Sequence, residues 1–349
     1  MPVESFFTRA LMDWYDPGDR PLPWKHIDDP YLIWLSEIIL QQTRAEQGLP
    51  YFNKFASQYP SVSDLANAPE DEVMKMWEGL GYYSRARNLH AAAKFVHGEL
   101  AGEFPKTYDE ILQLKGVGPY TAAAISSFAF NLPHAVVDGN VYRVLARYFD
   151  YEEASDTTTG KKYFANLAQR LLDQQQPGRY NQAIMDFGAT ICTPKVAKCK
   201  SCPLAEHCQA LQHDTVYERP LKLKKLKRRT RYFNYLVVYN PAFRIIEKRV
   251  GKDIWQNLYQ FPLIESSSPV EKWEDLQEDA SWPEWLPGPG QELSLRRKVG
   301  PRKQELTHQR IIAQFWELEY PGEKALEVPE NFQLVKPENC LKFAFPKII

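Results

Sequence analysis

The sequence predicts a two-domain protein in which an all-helical domain precedes a smaller α+β domain. Its 349 residues are more than twice the roughly 150 residues of an average domain. Apolar residues recur with helical spacing from residue 3 to about residue 190, and alternate as in β-strands beyond residue 231. Between these regions, the segment RPLKLKKLKRRTR has eight basic residues out of thirteen. We therefore predict a first domain at 1–215, a basic linker at 216–231 and a second domain at 232–349.

The composition is that of a globular protein with little net charge. Hydrophobic residues make up 44% of the chain and aromatic residues 13%, which is enough for a core in each domain. With a net charge of -1, nucleic-acid binding would have to depend on local basic clusters. The N-terminal segment lacks the features of a signal peptide, and no apolar run approaches the about 18 residues of a membrane span. We expect a soluble cytoplasmic protein.

Helices are predicted in the first domain where apolar spacing is bounded by Pro, Gly, Asp or Ser. The clearest segments are PYLIWLSEIILQQT (30–43), APEDEVMKMWEGLG (68–81), SRARNLHAAAKFVHGEL (84–100) and TTGKKYFANLAQRLLD (158–173). No segment of this region alternates convincingly as a strand does.

The second domain is predicted to mix strands with a short helix. The segments RYFNYLVVYN and FRIIEKRV flank Asn240-Pro241 and predict a hairpin, and 304–320 predicts a later strand. Between them, 270–277 predicts a short helix and 281–290 an irregular loop.

Four of the five cysteines fall within one short segment, with the spacing C-x6-C-x2-C-x5-C. Four thiolates are the usual ligand set of a 4Fe-4S cluster, whereas structural zinc sites more often pair two C-x2-C elements. The spacing favours a cluster over zinc or free thiols, held by Cys192, Cys199, Cys202 and Cys208. Because the protein would supply all four ligands, a structural role is favoured over a catalytic one.

The segment LKGVGPYT (114–121) predicts a tight turn that opens a helix. Gly116 and Gly118 allow unusual backbone angles, and Pro119 suits the first turn of a helix. Backbone amides at a helix N-terminus suit a phosphate group. Preceded by the helical stretch YDEILQL, the segment is a helix-hairpin-helix pattern, and the alternative is an ordinary helix-helix turn.

Two carboxylates are candidates for catalysis. Asp138 precedes a helix, so it is either an N-cap or a carboxylate facing a cationic transition state, and the two roles are compatible. Glu37 has mostly apolar neighbours, so it is either a structural residue or a buried acid whose pKa is raised.

Three further segments have both a structural and a functional interpretation. DRPLPWK is a rigid turn or a binding loop. GLGYYSRARNLH (79–90) is a helix start, or a group of aromatic and basic side chains that contact bases and phosphates. The basic linker is solvated or contacts DNA or a partner.

Together, the order and spacing of these motifs closely resemble the helix-hairpin-helix DNA glycosylase superfamily. The segments are LPWK, SEIILQQT, EGLGYYSRARNL, LKGVGPYTAAAI, VDGNVYRVLAR and the cysteine cluster, and they cover residues 5 to about 210. Within the superfamily, the match is to adenine DNA glycosylases of the MutY type. Relatives similar to endonuclease III carry a Schiff-base lysine where this chain has Tyr120, so strand cleavage is not expected.

The resemblance implies a monomeric, bacterial, nucleoid-associated enzyme of base excision repair that flips out and excises adenine mispaired with 8-oxoguanine or G in double-stranded DNA. It implies that Glu37 protonates the adenine, that Asp138 stabilises the oxocarbenium ion, and that Tyr120 and Asn140 orient the sugar and Asp138. The implied adenine pocket consists of Arg20, Leu22, Trp24 and Gln182, and the implied wedges in the base stack are Gln42 and Tyr82. The hairpin Gly116, Val117 and Gly118 would bind phosphate, and the cysteines would hold the 4Fe-4S cluster.

The second domain resembles the Nudix-like, 8-oxoguanine-reading domain of the same family. Leu306, Thr307 and His308 occupy the loop that usually reads Phe-Ser-His, so stacking by Leu306 is expected to be weaker while the threonine hydroxyl can still bond a base edge. The Nudix hydrolase signature is absent from 232–349, so nucleotide hydrolysis is not predicted.

Three other functions compete with this hypothesis. A bifunctional glycosylase-lyase acting on damaged pyrimidines would incise DNA without alkali, and Tyr120 argues against it. A non-catalytic module that recognises mismatches would not need Glu37 and Asp138, and a scaffold that uses the cluster for protein contacts explains neither the hairpin nor these carboxylates.

Overall fold

The computed structural model describes residues 3–16, 18, 20–25, 27–223, 228–287, 293–322 and 326–349. They form two compact units. The first contains the described residues of Met1–Asn67 and Asn88–Lys224, and the second those of Ala68–Arg87 and Lys225–Ile349. None of the helices in this part of the chain combines the length and apolarity that a membrane crossing requires.

The predicted all-helical region is confirmed, and no strand occurs before Arg229 among the described residues. The helices are, in chain order, α1 (Val3–Trp14), α2 (Pro30–Leu40), α3 (Ala45–Gln58), α4 (Val62–Asn67), α5 (Glu70–Met76), α6 (Ser84–Glu99), α7 (Tyr108–Leu112), α8 (Pro119–Phe130), α9 (Gly139–Tyr148), α10 (Thr158–Leu171), α11 (Pro177–Thr190) and α12 (Gln209–Gln212). Helix α5 belongs to the second unit, and α6 begins there and continues into the first.

Local signals in the sequence fix the ends of α2. The Asp29 carboxylate accepts the backbone N–H groups of Tyr31 and Leu32 at 2.8 and 3.3 Å, and Pro30 occupies the first helical position. The helix ends before Gln42, which has a φ of 56°, an angle that side-chain-bearing residues rarely adopt. Most of α2 is apolar and buried, so the helix lies in the interior of the first unit.

The core of the first unit lies where α1, α8, α9, α10 and α11 meet. Phe7, Val144, Phe164 and Phe187 are almost fully buried there. Burying each such side chain contributes about 1.5–3 kcal/mol. This packing fixes the starts of α8 and α9, from which candidate catalytic residues project.

The second unit contains two sheets. Its strands are β1 (Arg229–Tyr239), β2 (Arg244–Lys248), β3 (Tyr259–Gln260), β4 (Leu263–Ser266), β5 (Ser294–Glu305), β6 (Gln309–Glu319) and β7 (Phe332–Val335), and a short helix α13 (Trp273–Gln277) precedes β5. One sheet has the order β4-β1-β6-β5 and the other β3-β2-β7. Strands β1 and β6 are parallel, with Tyr235 opposite Phe315, and the remaining pairs are antiparallel.

The predicted hairpin at Asn240-Pro241 is wrong. Strands β1 and β2 lie in different sheets, and β1 pairs with β4 and β6 instead. The Asn240 side chain holds the connection between β1 and β2 in place, because its Nδ2 donates to the carbonyls of Tyr320 and Gly322 at 2.9 and 3.1 Å. These partners lie about 80 residues further along the chain, so the local sequence did not reveal them.

Other elements differ from the sequence expectation in extent. The predicted strand at 304–320 spans the end of β5, a turn at 306–308 and β6. Strand β5 was not predicted, since it is a largely exposed edge strand with a polar, basic sequence. The end of the predicted linker, 229–231, is the start of β1, and 224–227 lie outside the described residues. Residues 68–87 were expected in the first domain, whereas they pack with the second unit.

Candidate active site

A cavity of about 440 Å³ opens in the first unit. Nine of the residues selected from the sequence line it, namely Arg20, Leu22, Trp24, Glu37, Gln42, Tyr120, Asp138, Asn140 and Gln182. They come from the loop before α2, from α2 and its C-terminal end, from the starts of α8 and α9, and from α11. The fold therefore brings residues from five separate segments of the chain to one site.

Glu37 is a buried acid in this cavity, with 6% of its surface exposed. Burial raises its pKa from 4.5 to about 7, and a hydrogen bond with Tyr120 offsets part of this rise, to which the nearby Asp138 adds. An acid with this pKa is partly protonated at neutral pH and can donate a proton to a bound group.

Asp138 is both an N-cap and a cavity residue. Its Oδ1 accepts the N–H groups of Asn140 and Val141, each at 2.8 Å, and its Oδ2 accepts the Asn140 side-chain amide at 2.8 Å. Burial raises the pKa of Asp138, while these hydrogen bonds and the nearby Arg143 counteract the rise. The carboxylate is thus held in a fixed orientation with its charge stabilised by donors.

Tyr120 lies in the first turn of α8, after Pro119, and its hydroxyl is 3.5 Å from the Met185 sulfur. Burial and the neighbouring Glu37 and Asp138 raise its pKa well above the usual value. The hydroxyl therefore remains protonated and acts as a hydrogen-bond donor in the cavity.

Arg143 connects the Asp138 carboxylate to the cysteine-containing segment. Its Nη2 donates to Asn140 Oδ1 at 2.8 Å and to the Gly188 carbonyl at 2.7 Å, and its Nε donates to the Cys192 carbonyl at 2.7 Å. Because Asn140 in turn donates to Asp138, one guanidinium orients the amide that holds the carboxylate.

Sequence reasoning missed an ion pair in the cavity wall. The side chains of Lys25 and Asp186 are 3% and 7% exposed and bond each other, and Arg20 Nη1 also donates to Asp186 at 2.9 Å. The Asp186 carboxylate on α11 therefore binds both ends of the loop that carries Leu22 and Trp24. Asp186 lies four residues after Gln182, on the same helix face, and this spacing was the signal available in the sequence.

The helix-hairpin-helix turn joins α7 to α8. Gly116 is exposed with a φ of 84°, and a Cβ there would lie 2.7 Å from the Asn88 Cβ, so a larger residue would clash. Val117 N–H donates to the Leu114 carbonyl at 3.0 Å and closes the turn. Gly118 is the N-cap of α8 and has open space around it, so an anion can approach the start of α8 at this residue.

The four clustered cysteines line one small cavity of the first unit. Cys192, Cys199, Cys202 and Cys208 are half-buried and none forms a disulfide. Arg147 also lines this cavity and donates to the Cys192 sulfur at 3.4 Å. Within the described ranges, no group of three or more His, Cys, Asp or Glu side chains is arranged as a metal-ion site. The four sulfurs are therefore not gathered around a single metal ion. They do line one cavity, with a cation beside one of them, and four thiolates are the ligands that an iron-sulfur cluster takes.

A second cavity, of about 520 Å³, lies in the second unit. Leu306, Thr307 and His308 line it from the turn between β5 and β6, and Tyr82 lines it from the segment before α6. The hydroxyls of Tyr82 and Thr307 are 2.7 Å apart. The predicted lesion-reading loop and one predicted wedge residue are thus in direct contact.

The fold and the first cavity define a class of DNA repair protein. Residues 35–171 match the family described as HhH-GPD superfamily base excision DNA repair protein, and residues 234–349 match the NUDIX domain. Among solved structures, a thermostable thymine-DNA glycosylase is 31% identical with a TM-score of 0.56, over 60% of this chain and 97% of that one. An endonuclease III in a non-covalent DNA complex has the same helical fold, with a TM-score of 0.53 at 20% identity over 61% of this chain and 99% of that one.

Sequence relatives narrow this class to one family. The adenine DNA glycosylase of Buchnera aphidicola subsp. Baizongia pistaciae (strain Bp) is 35% identical over 276 residues, covering 76% of both chains. The adenine DNA glycosylase of Mus musculus is 42% identical over 215 residues, covering 59% of this chain and 42% of that one. The chain belongs to the adenine DNA glycosylase family.

Proposed function

We propose that the protein is a monofunctional glycosylase that flips adenine out of double-stranded DNA, where it is mispaired with 8-oxoguanine or G, and hydrolyses its N-glycosidic bond. One observation carries this proposal: Glu37, with a pKa of about 7, shares a cavity with the donor-held carboxylate of Asp138. An acid and an anion in different environments are what glycosidic cleavage requires.

The two carboxylates act on opposite parts of the bond. Protonated Glu37 donates a proton to the adenine N7, so the base leaves as a neutral molecule, and the resulting carboxylate then accepts a proton from the attacking water. Asp138 stabilises the positive charge that develops on the sugar. The Tyr120 hydroxyl donates a hydrogen bond to an oxygen atom of the sugar or of the carboxylates, and Asn140 keeps Asp138 aligned.

The remaining cavity residues select and hold the base. Leu22 and Trp24 provide apolar contact for the flipped adenine, and Arg20 and Gln182 provide hydrogen bonds to its edge. Lys25 also lies in this wall, where burial lowers its pKa and the hydrogen bond to Asp186 opposes that lowering. Tyr120 stands where relatives similar to endonuclease III carry a Schiff-base lysine, and this supports base excision without strand cleavage.

Three further features suit binding to distorted DNA. The hairpin of Gly116, Val117 and Gly118 binds a phosphate beside the flipped nucleotide, through backbone amides that the turn itself does not use. Gln42 and Tyr82 both have positive φ angles, 56° and 48°, and such strained residues are common at functional sites. We propose that they are the wedges that separate neighbouring base pairs.

The second unit reads the base opposite the adenine. Thr307 and His308 offer polar groups to the edge of 8-oxoguanine, and Leu306 replaces a stacking aromatic ring. We propose that the domains are functionally divided at 1–215 and 232–349, that the enzyme acts as a monomer, and that it works at the bacterial nucleoid.

Cys192, Cys199, Cys202 and Cys208 hold a 4Fe-4S cluster in this proposal. With all four ligands supplied by the protein, the cluster would cross-link this segment and would leave no iron open to a substrate. Arg147 beside one sulfur offsets the negative charge of the thiolates.

A single-turnover assay tests the proposed function. A labelled duplex with A opposite 8-oxoguanine is incubated with the wild type or with Glu37→Gln, and each sample is divided and treated with or without alkali. Strand breaks only after alkali, and only with the wild type, are expected. Breaks without alkali would favour the glycosylase-lyase, and no base release by the wild type would contradict the proposal.

A further inference from the structure

The segment that carries Tyr82 is anchored at its N-terminal end by Asp71 on α5. Asp71 Oδ1 accepts from Lys248 Nζ at 2.7 Å, and Oδ2 accepts from the Tyr259 hydroxyl at 2.9 Å. Both oxygens of one carboxylate are thus used by β2 and β3 of the same unit. This arrangement fixes the orientation of α5, not only its position.

Further hydrogen bonds hold the same segment along its length. Glu70 accepts from the Asn257 side chain, and Glu78 accepts the Phe345 N–H at 2.8 Å. Beyond Tyr82, Arg87 donates to the Gln256 carbonyl at 2.7 Å. Residues 70–87 are therefore bonded on both sides of Tyr82, mainly to residues 256–259 and 343–345.

Tyr82 itself adopts a conformation that needs such support. Its φ is 48°, and the preceding Gly79 and Gly81 have φ angles of 89° and 78°. A bulky residue in this region is strained, and the strain persists only where surrounding contacts enforce it. Trp255, which lines the same cavity as Tyr82, is also strained with a φ of 59°. The strained turns at Tyr82 and Trp255 thus line one cavity. Residues 70–87 carry the first turn and are hydrogen-bonded to the second through Gln256 and Asn257.

We propose that Asp71 is a positioning residue that couples recognition of the base opposite adenine to insertion of Tyr82. By holding α5 on β2 and β3, Asp71 keeps the Tyr82 hydroxyl within reach of Thr307, 2.7 Å away. Without this anchor, Tyr82 still reaches DNA but no longer in register with the loop that contacts the lesion. The inference rests on the proposed function, and it assigns a role in substrate preference rather than in bond cleavage.

The test compares Asp71→Asn with Glu72→Gln by single-turnover excision from A opposite 8-oxoguanine and A opposite G. Glu72 is the neighbouring exposed carboxylate in the first turn of α5, so its variant loses the same charge without losing the anchor. Asp71→Asn is expected to lower the preference for 8-oxoguanine about three- to tenfold, since the lost bonds are partly exposed. The rate at saturating enzyme on A opposite G should stay within about twofold.

A double-mutant cycle with Tyr82→Leu separates positioning from general destabilisation. If Asp71 acts through Tyr82, Asp71→Asn has little further effect on the preference once Tyr82 is replaced. Tyr259→Phe removes one anchoring bond with the least change of shape, and it should lower the preference in the same direction even if Asp71→Asn folds poorly.

Three results would overturn the inference: equal behaviour of Asp71→Asn and Glu72→Gln, an equal rate loss on both substrates, or an undiminished effect in the Tyr82→Leu background. Absence of base release by the wild type would instead overturn the proposed function. The two failures are therefore distinguishable.

Discussion

Replacing Glu37 with Gln should slow base release strongly and also stabilise the protein at alkaline pH. Raising the pKa of this carboxyl from 4.5 to about 7 corresponds to about 3 kcal/mol. Folding then favours the protonated form, so the contribution of Glu37 to stability is fully present below about pH 4.5 and is lost as the pH rises through about 7. Gln has no proton to lose, so the variant avoids this penalty.

The magnitude can be measured as a difference between two unfolding curves. Urea unfolding of the wild type and of Glu37→Gln is followed from about pH 5.5 to about pH 8, and the stability difference should change by about 2 kcal/mol in favour of the variant. Taking the difference cancels the contributions of other titrating groups. A difference that is independent of pH would refute the argument that burial raises the pKa of Glu37.

The rate of base release by the wild type should decrease as the pH rises, whereas the stability gained by the variant increases. The wild-type single-turnover rate should decrease about tenfold per pH unit above pH 7, because only protonated Glu37 is a proton donor. Glu37→Gln should be slower by about 10²- to 10⁴-fold. Retained duplex binding by the variant would separate chemistry from folding, whereas lost binding would mark Glu37 as structural.

Three other outcomes are expected. Cys202→Ser should lose the visible absorption and iron content of the cluster or fail to fold, and a colourless, folded, zinc-containing wild type would contradict the cluster assignment. Replacing Thr307 and His308 together with Ala should lower the preference for 8-oxoguanine over G about 30-fold, since two lost hydrogen bonds are each worth about 1 kcal/mol, and an unchanged ratio would place lesion recognition elsewhere. Asp186→Asn leaves Lys25 as a buried unpaired cation and should destabilise the protein by about 3–5 kcal/mol, as thermal or urea unfolding would measure. Restored stability in Asp186→Asn combined with Lys25→Met would identify the unpaired charge as the cause, and an unchanged stability of the single variant would refute the role of this pair.

Local features of the sequence were sufficient to predict the helices. Pro30 after Asp29 marks the start of α2, and Gly118-Pro119 marks the start of α8, because capping and fixed backbone angles act between near neighbours. Strands were harder to predict, since an edge strand such as β5 gains its backbone hydrogen bonds from β6 without needing an apolar sequence.

The residues of the candidate site also divide into those that a local motif predicts and those that only the fold brings together. Glu37, Asp138 and the cysteines were selected from the sequence because each stands in a distinctive motif of a few residues. Lys25 and Asp186 were not, because the lysine became notable only when a carboxylate 161 residues away was found beside it. The contact between Tyr82 and Thr307 spans 225 residues and has no local signature.

By itself, the sequence determined the kinds of element, the chemistry available and the family resemblance, since these depend on residue types over short spacings. Only the tertiary structure decided that Glu37 is buried enough to hold a proton near neutral pH, that Asp138 is both a helix cap and a cavity carboxylate, and that residues 68–87 pack with the second unit. Burial and long-range pairing arise from how distant segments pack, so a carboxyl's pKa and a helix's partners are properties of the folded chain.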